Sequence, residues 1–321
     1  MEKIQGIHHM TIFAKNPQAN VNFYHTVLGQ RLVKKTVNFD DPGTYHLYYG
    51  DEVGSPGTIM TFFPWAHVAR GVPGNGEVAS TAYTIRPNSV DYWLDRLAAH
   101  NVAVGEVESR FDAQVIPFED YEGTRLELIT SDEPATIQYW ADGPIPEDHA
   151  LRGFHSATLW VDQAAATAEI LTEQLGYVLK GKEDNRWRYQ GASNDIGLYI
   201  DLLERPGMPR SRPGAGSVHH IAFRTVDDTE QLEYLSQLQA AGLGVTPVQD
   251  RQYFHSIYFR EPNGVLFEVA TDAPGFLYDE PLEELGHNLK LPAWYEQHRS
   301  KIEQALLPFT HPDLANRNEP K

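Results

Sequence analysis

Ile7-His8-His9-Met10-Thr11-Ile12-Phe13 and Val218-His219-His220-Ile221-Ala222-Phe223-Arg224 are two versions of one phrase. Two more lie between them, Val78-Ala79-Ser80-Thr81-Ala82-Tyr83-Thr84 and Phe154-His155-Ser156-Ala157-Thr158-Leu159-Trp160. Each is rich in β-branched and aromatic residues and reads as a short strand. A stretch with helical spacing follows each one. A last strand then closes each copy just after a glycine, at Gly57, Gly123, Gly197 and Gly264. With about three strands after the helix, one copy occupies roughly 50–60 residues, a period that marks a repeat architecture. The expected fold is α+β, built from four βαβββ modules.

The copies are unequal in chemistry. The second position of each opening doublet is His9, Ser80, Ser156 and His220. The fourth residue past each closing glycine is Thr61, Glu127, Asp201 and Glu268. Copies one and four therefore offer His9, His220 and Glu268 as metal ligands. Two imidazoles and one carboxylate with open positions are the donor set of non-haem Fe(II) oxygenases. Copies two and three offer two serines and two carboxylates, a poor site for a transition metal. Glu127 and Asp201 are expected in salt bridges or at solvated ends. His155 stands one residue before the ligand position, and in a regular strand it points to the opposite face. The ten histidines outside the two His-His doublets are expected to be packed or surface imidazoles.

The chain has 321 residues, 41% hydrophobic and 22% charged, and a formal net charge of -18. Such a surface repels phosphate backbones, so nucleic acid and anionic membranes are excluded as expected partners. With no cysteine, a metal must be held by His, Asp or Glu. No run approaches the roughly 18 apolar residues of a membrane helix, and no apolar signal region opens the chain. A cytoplasmic protein is expected, and a homo-oligomer is compatible with the sequence.

The organisation reads as 1–140 for the first pair of modules, 141–152 for a linker rich in Pro, Asp and Gly, 153–275 for the second pair, and 276–321 for a C-terminal extension with a helix. Asn16 is an expected helix cap, as are Asn88 or Ser89 in copy two; Asp162 precedes the copy-three helix, and Asp227 or Asp228 the copy-four helix. Leu232, Leu235 and Leu238 form the apolar face expected in copy four. Helical spacing of Trp294, Ile302 and Leu306 predicts a helix over 292–307, and the last residues are expected to fray.

Four such modules, with His on a first strand and Glu on a last strand, resemble the vicinal oxygen chelate superfamily. That group includes glyoxalase I, fosfomycin resistance proteins and extradiol dioxygenases. The run YFREPNGVLFEVA from Tyr258 is similar to its closing hairpin. The doublets His8-His9 and His219-His220, the set Arg251, Tyr258 and Glu268, and the tail run LPAWYE from Leu291 with Arg299 resemble, more narrowly, the hydroquinone ring-cleaving dioxygenases.

The resemblance implies that modules pair to form two curved mixed-sheet barrels. Since copy one carries a correctly phased His9, copies one and four are expected to pair around the metal, and copies two and three separately. The resemblance places Tyr258 and Arg251 beside the metal, where a phenol and a guanidinium can stabilise developing negative charge. It places His8, His219 and Thr11 in a hydrogen-bond relay behind the ligands. Fe(II) is the implied cofactor, with Mn(II) the other metal that suits the site. The implied partners are a small aromatic substrate and O₂. The fourth position, Thr61, is a much weaker ligand than the carboxylate of glyoxalase-type sites, which favours an oxygenase over a lyase. The expected reaction is opening of a para-hydroquinone ring to a semialdehyde acid, or to the acyl halide if the ring is halogenated. A catechol dioxygenase, a glyoxalase-like lyase and a binding protein for an aromatic or an antibiotic remain as rival readings.

Overall fold

The computed structural model describes residues 3–193 and 195–313. The end expected to fray lies outside the described residues. Copy one consists of β1 (Ile7–Ala14), α1 (Pro17–Val21), β2 (Arg31–Asn38), β3 (Asp41–Gly50) and β4 (Ile59–Pro64). Copy two has β5 (Glu77–Ile85), α2 (Val90–Ala99), β6 (Glu108–Arg110), β7 (Ala113–Glu119) and β8 (Arg125–Thr130). Copy three has β9 (Phe154–Val161), α3 (Ala164–Glu169), β10 (Val178–Glu183), β11 (Arg186–Gln190) and β12 (Tyr199–Glu204). Copy four has β13 (Val218–Thr225), α4 (Asp228–Ala240), β14 (Gln249–Asp250), β15 (His255–Arg260) and β16 (Leu266–Thr271).

The strands form two eight-stranded mixed sheets, one built from the two outer copies and one from the two middle copies. One has the order β14-β15-β16-β13-β1-β4-β3-β2, the other β10-β11-β12-β9-β5-β8-β7-β6. Copies four and one thus share a sheet through the antiparallel β1–β13 pair, and copies three and two through β5–β9. One apolar core joins both sheets, and Tyr83 stacks on Phe154 within it at 5.3 Å.

Local chemistry explains the module boundaries. The four closing glycines have φ of 89°, 84°, 68° and 100° at Gly57, Gly123, Gly197 and Gly264. Side chains rarely tolerate that region, so glycine is required where the chain turns into the closing strand. Asn16 Oδ1 caps α1 by accepting from the Gln18 and Ala19 amides, and Asp227 caps α4 through the Glu230 amide. Helix α1 widens into a π turn over Asn22–Val27, and α3 does the same over Ile170–Gln174.

Four local expectations are corrected. Ser89 does not cap α2; its hydroxyl donates to the Asp148 carbonyl. Gln163, not Asp162, is the residue before α3, and Asp162 accepts from the Gly207 amide. Leu232 is exposed, because α4 turns Gln231, Tyr234 and Leu238 inward. The C-terminal helical stretch is split into α5 (Ala293–Glu296) and α6 (Arg299–Ala305). Ile302 and Leu306 pack with Leu291 on Val37, whereas Trp294 stays half exposed. The extension is also tied down by the fully buried Lys34, whose Nζ lies 2.6 Å from Asp279 Oδ1 and 2.5 Å from Glu280 Oε2.

Candidate metal centre

The His doublets sit on irregular backbone. In the β1–β13 ladder Ile7 pairs with Phe223 and His9 with Ala222, so His8 is skipped; Thr11 pairs with His220 and Ile12 with Val218, so His219 is skipped. The β5–β9 ladder skips Ala79 and His155 in the same way. A bulge sets two residues against one and re-aims their side chains. His8 and His219 therefore do not take the opposite direction that a regular strand would give them. His8 Nδ1 lies 2.9 Å from His9 Nδ1, and His219 Nδ1 lies 2.8 Å from His220 Nδ1. His155 is likewise turned onto Ser156, with Nδ1 3.0 Å from Oγ.

Three adjacent strands carry the candidate ligands. His9 on β1 pairs with Ala222 on β13, which pairs with Glu268 on β16. The methyl group of Ala222 leaves the space above it open, so the longer side chains on either side meet over it. His220 follows two residues before Ala222, on the same face. His9 Nε2 lies 3.2 Å from His220 Nε2 and 3.3 Å from Glu268 Oε2, and His220 Nε2 lies 2.9 Å from the same oxygen. All three residues are buried.

One of these atoms is left unsatisfied. Glu268 Oε2 has no hydrogen-bond partner despite its two close imidazoles. Its other oxygen accepts from the Ser256 hydroxyl. Convergent lone pairs around a shared point are what a cation requires. Burial alone would raise the Glu268 carboxyl, but His9 and His220 outweigh it and hold it well below the usual carboxylate range. Burial lowers His220, against the pull of Glu268. The set is a carboxylate with an imidazole kept neutral, and it fits a divalent metal.

Each candidate ligand is held from behind. Burial, then His9, pushes His8 well below its usual range, while a hydrogen bond to the Thr271 backbone opposes the shift. Burial and His220 push His219 down to about 3. Both rings are thus neutral and can accept at Nδ1. If His9 and His220 donate from Nδ1, their Nε2 lone pairs are left to the shared point.

The fourth position is committed elsewhere. Thr61 Oγ1 lies 2.8 Å from Thr11 Oγ1 and 2.8 Å from His46 Nε2. His46 Nδ1 lies in turn 2.8 Å from the Tyr48 hydroxyl. Burial, then His9 and His220, keeps His46 well below its ordinary range. Sequence reasoning passed over His46 and Tyr48. Their signal was the strand period: Tyr48 pairs with Thr61, and His46 is two residues from Tyr48 on the same face.

A cavity of about 520 Å³ opens onto this site. His9, His46, His220, Phe254, Arg251 and Tyr258 are among its walls. Arg251 Nε donates to the Tyr258 hydroxyl oxygen at 3.2 Å, and its other nitrogens reach Asp40 at 3.1 Å and Gln249 at 2.5 Å. Burial, then Glu268, raises Tyr258 although Arg251 opposes it. Tyr258 therefore stays a phenol, accepts from Arg251 and keeps its O–H to donate.

The second sheet holds arginines at the equivalent place. Arg110 donates to both Glu127 oxygens, at 2.7 and 3.1 Å. Arg188 is bidentate on Asp201, with both contacts at 2.8 Å, and Arg186 adds a third at 3.1 Å. These guanidinium groups neutralise the two carboxylates, in line with the salt bridges expected for Glu127 and Asp201.

The sequence pattern of the Glyoxalase/Bleomycin resistance protein/Dioxygenase superfamily matches residues 6–128 and 153–269. "Putative ring-cleaving dioxygenase MhqO" of Bacillus subtilis (strain 168) is 48% identical over 308 residues, covering 96% of this chain and 97% of its own. The chlorohydroquinone/hydroquinone 1,2-dioxygenase of Sphingobium indicum is 35% identical over 300 residues, covering 90% of this chain and 92% of its own. A Bacillus subtilis crystal structure of a "putative dioxygenase" superposes with a TM-score of 0.93 at 48% identity, covering 97% of this chain and 99% of that one. The chain belongs to the Glyoxalase/Bleomycin resistance protein/Dioxygenase superfamily and stands among its ring-cleaving dioxygenases.

Proposed function

We propose that this member of the superfamily is an Fe(II)-dependent dioxygenase that opens para-hydroquinone-type rings. The observation that carries the reading is the count of donors. His9, His220 and Glu268 converge, while Thr61 is engaged by Thr11 and His46. Three protein ligands leave room for a substrate oxygen and O₂ together. When bound, Fe(II) would supply a Lewis-acidic, redox-active centre with those positions open. Mn(II) suits the same donors.

The protein's own groups then have separable tasks. His8 and His219 hold the Nε2 lone pairs of His9 and His220 on the shared point. Tyr258 donates its proton to a substrate oxygen, and Arg251 offsets negative charge next to that oxygen. Phe254 and Phe63 offer apolar surface to an aromatic ring. A para-diol cannot chelate one ion through both oxygens, so one end faces the ligands and the other meets the polar wall that includes Asn38, Asp40 and Gln249. Both atoms of O₂ enter a ring-opened semialdehyde acid. The hydroquinone specificity draws support from the Sphingobium relative. Among the described residues no helix is long and apolar enough to cross a membrane.

The test is O₂ uptake by protein purified without oxygen and loaded with Fe(II). Hydroquinone should drive uptake and give a ring-opened product, and catechol should be much poorer. Turnover of either diol without O₂ consumption, or preference for catechol, would overturn the reading.

A further inference from the structure

A second group of metal-ligating side chains lies apart from the cavity that holds His9. His25 stands in the π turn after α1, and His311 and Asp313 lie at the end of the described chain. Their ligand atoms all lie within 4.8 Å of one another. His25 Nε2 is 3.2 Å from Asp313 Oδ1, and His311 Nδ1 is 3.8 Å from Asp313 Oδ2. His287 Nε2 comes within 3.8 Å of that same oxygen. Three imidazoles thus surround one carboxylate. His25 and His311 are buried, and none of the four residues lines the cavity at His9.

The mark of convergence seen at Glu268 recurs here. His25 Nε2 is buried, sits 3.2 Å from a carboxylate oxygen, and has no hydrogen-bond partner. His311 Nε2 is also buried without one. Leaving buried polar atoms unpaired is costly, and such atoms point to something that pairs with them. Ring packing gathers the imidazoles. His25 lies edge-on to His311 at 5.4 Å and to Trp140 at 4.9 Å, and His287 lies edge-on to His311 at 4.7 Å. The segment is also clamped next to this point, since the Gln18 side chain accepts from the Thr310 amide at 2.7 Å and donates to its carbonyl at 3.2 Å.

We propose that His25, His311 and Asp313 bind a Zn(II) ion that fastens the C-terminal segment to the first module. Zinc takes four N and O donors in a tetrahedron at about 2.0–2.1 Å, which sets neighbouring donor atoms about 3.3 Å apart. The 3.2 Å between His25 Nε2 and one Asp313 oxygen matches that figure, and His311 Nδ1 stands 3.8 Å from the other oxygen. The three donors come from the first module and from the end of the described chain, so an ion held by them ties two distant segments together. One bond opposes binding: the Asp313 amide donates to His311 Nδ1 at 3.2 Å. Ligation at either ring nitrogen gives up that bond, because it either uses the Nδ1 lone pair or places the proton there.

The test counts zinc on the intact chain. Protein stripped with chelator and titrated with Zn(II) alone should take up two equivalents. His9→Ala/Glu268→Ala should take up one, and His25→Ala/His311→Ala should also take up one. In the His9→Ala/Glu268→Ala background, Co(II) should give the visible absorption of a tetrahedral site, and zinc should protect the amides of 308–313 from hydrogen exchange. If that background binds no metal and shows no added protection, the proposal fails. His311→Ala alone lies outside both sheets and keeps the test decisive if changes at His25 impair folding: it should abolish the second equivalent.

Discussion

His219 Nδ1 and His220 Nδ1 lie 2.8 Å apart although the two residues are neighbours on one strand. Adjacent residues of a regular strand point to opposite faces. The bulge that skips His219 in the β1–β13 ladder brings the two rings together, and His8 and His9 repeat the arrangement from the facing strand. The candidate site is therefore two linked imidazole pairs closing on one carboxylate.

Removing any one of His9, His220 or Glu268 by substitution with alanine should abolish iron retention and nearly all activity, because two donors hold Fe(II) weakly. Circular dichroism should show the fold intact. Metal analysis decides the matter: loss of metal in Glu127→Ala or Ser156→Ala, with retention in His9→Ala, would move the site to the other sheet.

His219→Phe removes the acceptor behind His220 and leaves the ligand itself in place. Metal affinity should fall about 10- to 100-fold, the usual cost of losing such a partner. Competition with a calibrated chelator measures it. Unchanged affinity would assign His219 to packing against Phe13, whose ring lies 4.9 Å away.

Tyr258→Phe should keep full metal occupancy and lower turnover by roughly 10- to 1000-fold, the range for a lost proton donor or charge-stabilising group. Steady-state O₂ uptake at equal iron content checks it.

Thr61→Glu tests the open fourth position. A carboxylate there could fill one coordination site, so metal binding should hold or tighten while O₂-dependent ring cleavage is suppressed. Full dioxygenase activity in the metal-loaded variant would remove Thr61 from the account.

His155 supplies a pH test away from the metal. Burial, then Arg188, pushes it down to about 3, against about 6.5 in an unfolded chain. The unfolded chain takes up a proton below about 6.5 that the folded chain refuses until about 3, so stability is full above this window and declines as pH falls through it, by about 1.4 kcal/mol per pH unit. Denaturation midpoints across that range should show a shallower acid slope, by one proton, in His155→Phe. An unaltered slope would mean that His155 takes up its proton at the same pH in both states.

The repeat, the phase of its strands and the unequal set of candidate ligands were legible in the sequence, because each depends on spacing along one chain. Alternation with a period of two puts His9, His220 and Glu268 on inward faces, and the glycines at positive φ recur at four matched positions. The partnership of copies one and four could be inferred because only they carry histidines in phase. What neighbouring strands and distant loops do to a side chain was not legible. The bulges at His8 and His219 arise from the ladder between β1 and β13, which joins residues some two hundred positions apart in sequence, and spacing within one strand carries no trace of them. His46 became part of the site only when β3 paired with β4 and set Tyr48 opposite Thr61. The arginines on Glu127 and Asp201, and the meeting of His25 with His311 and Asp313, likewise depend on packing between segments. Local period decides which way a residue faces; only tertiary pairing decides what it meets there.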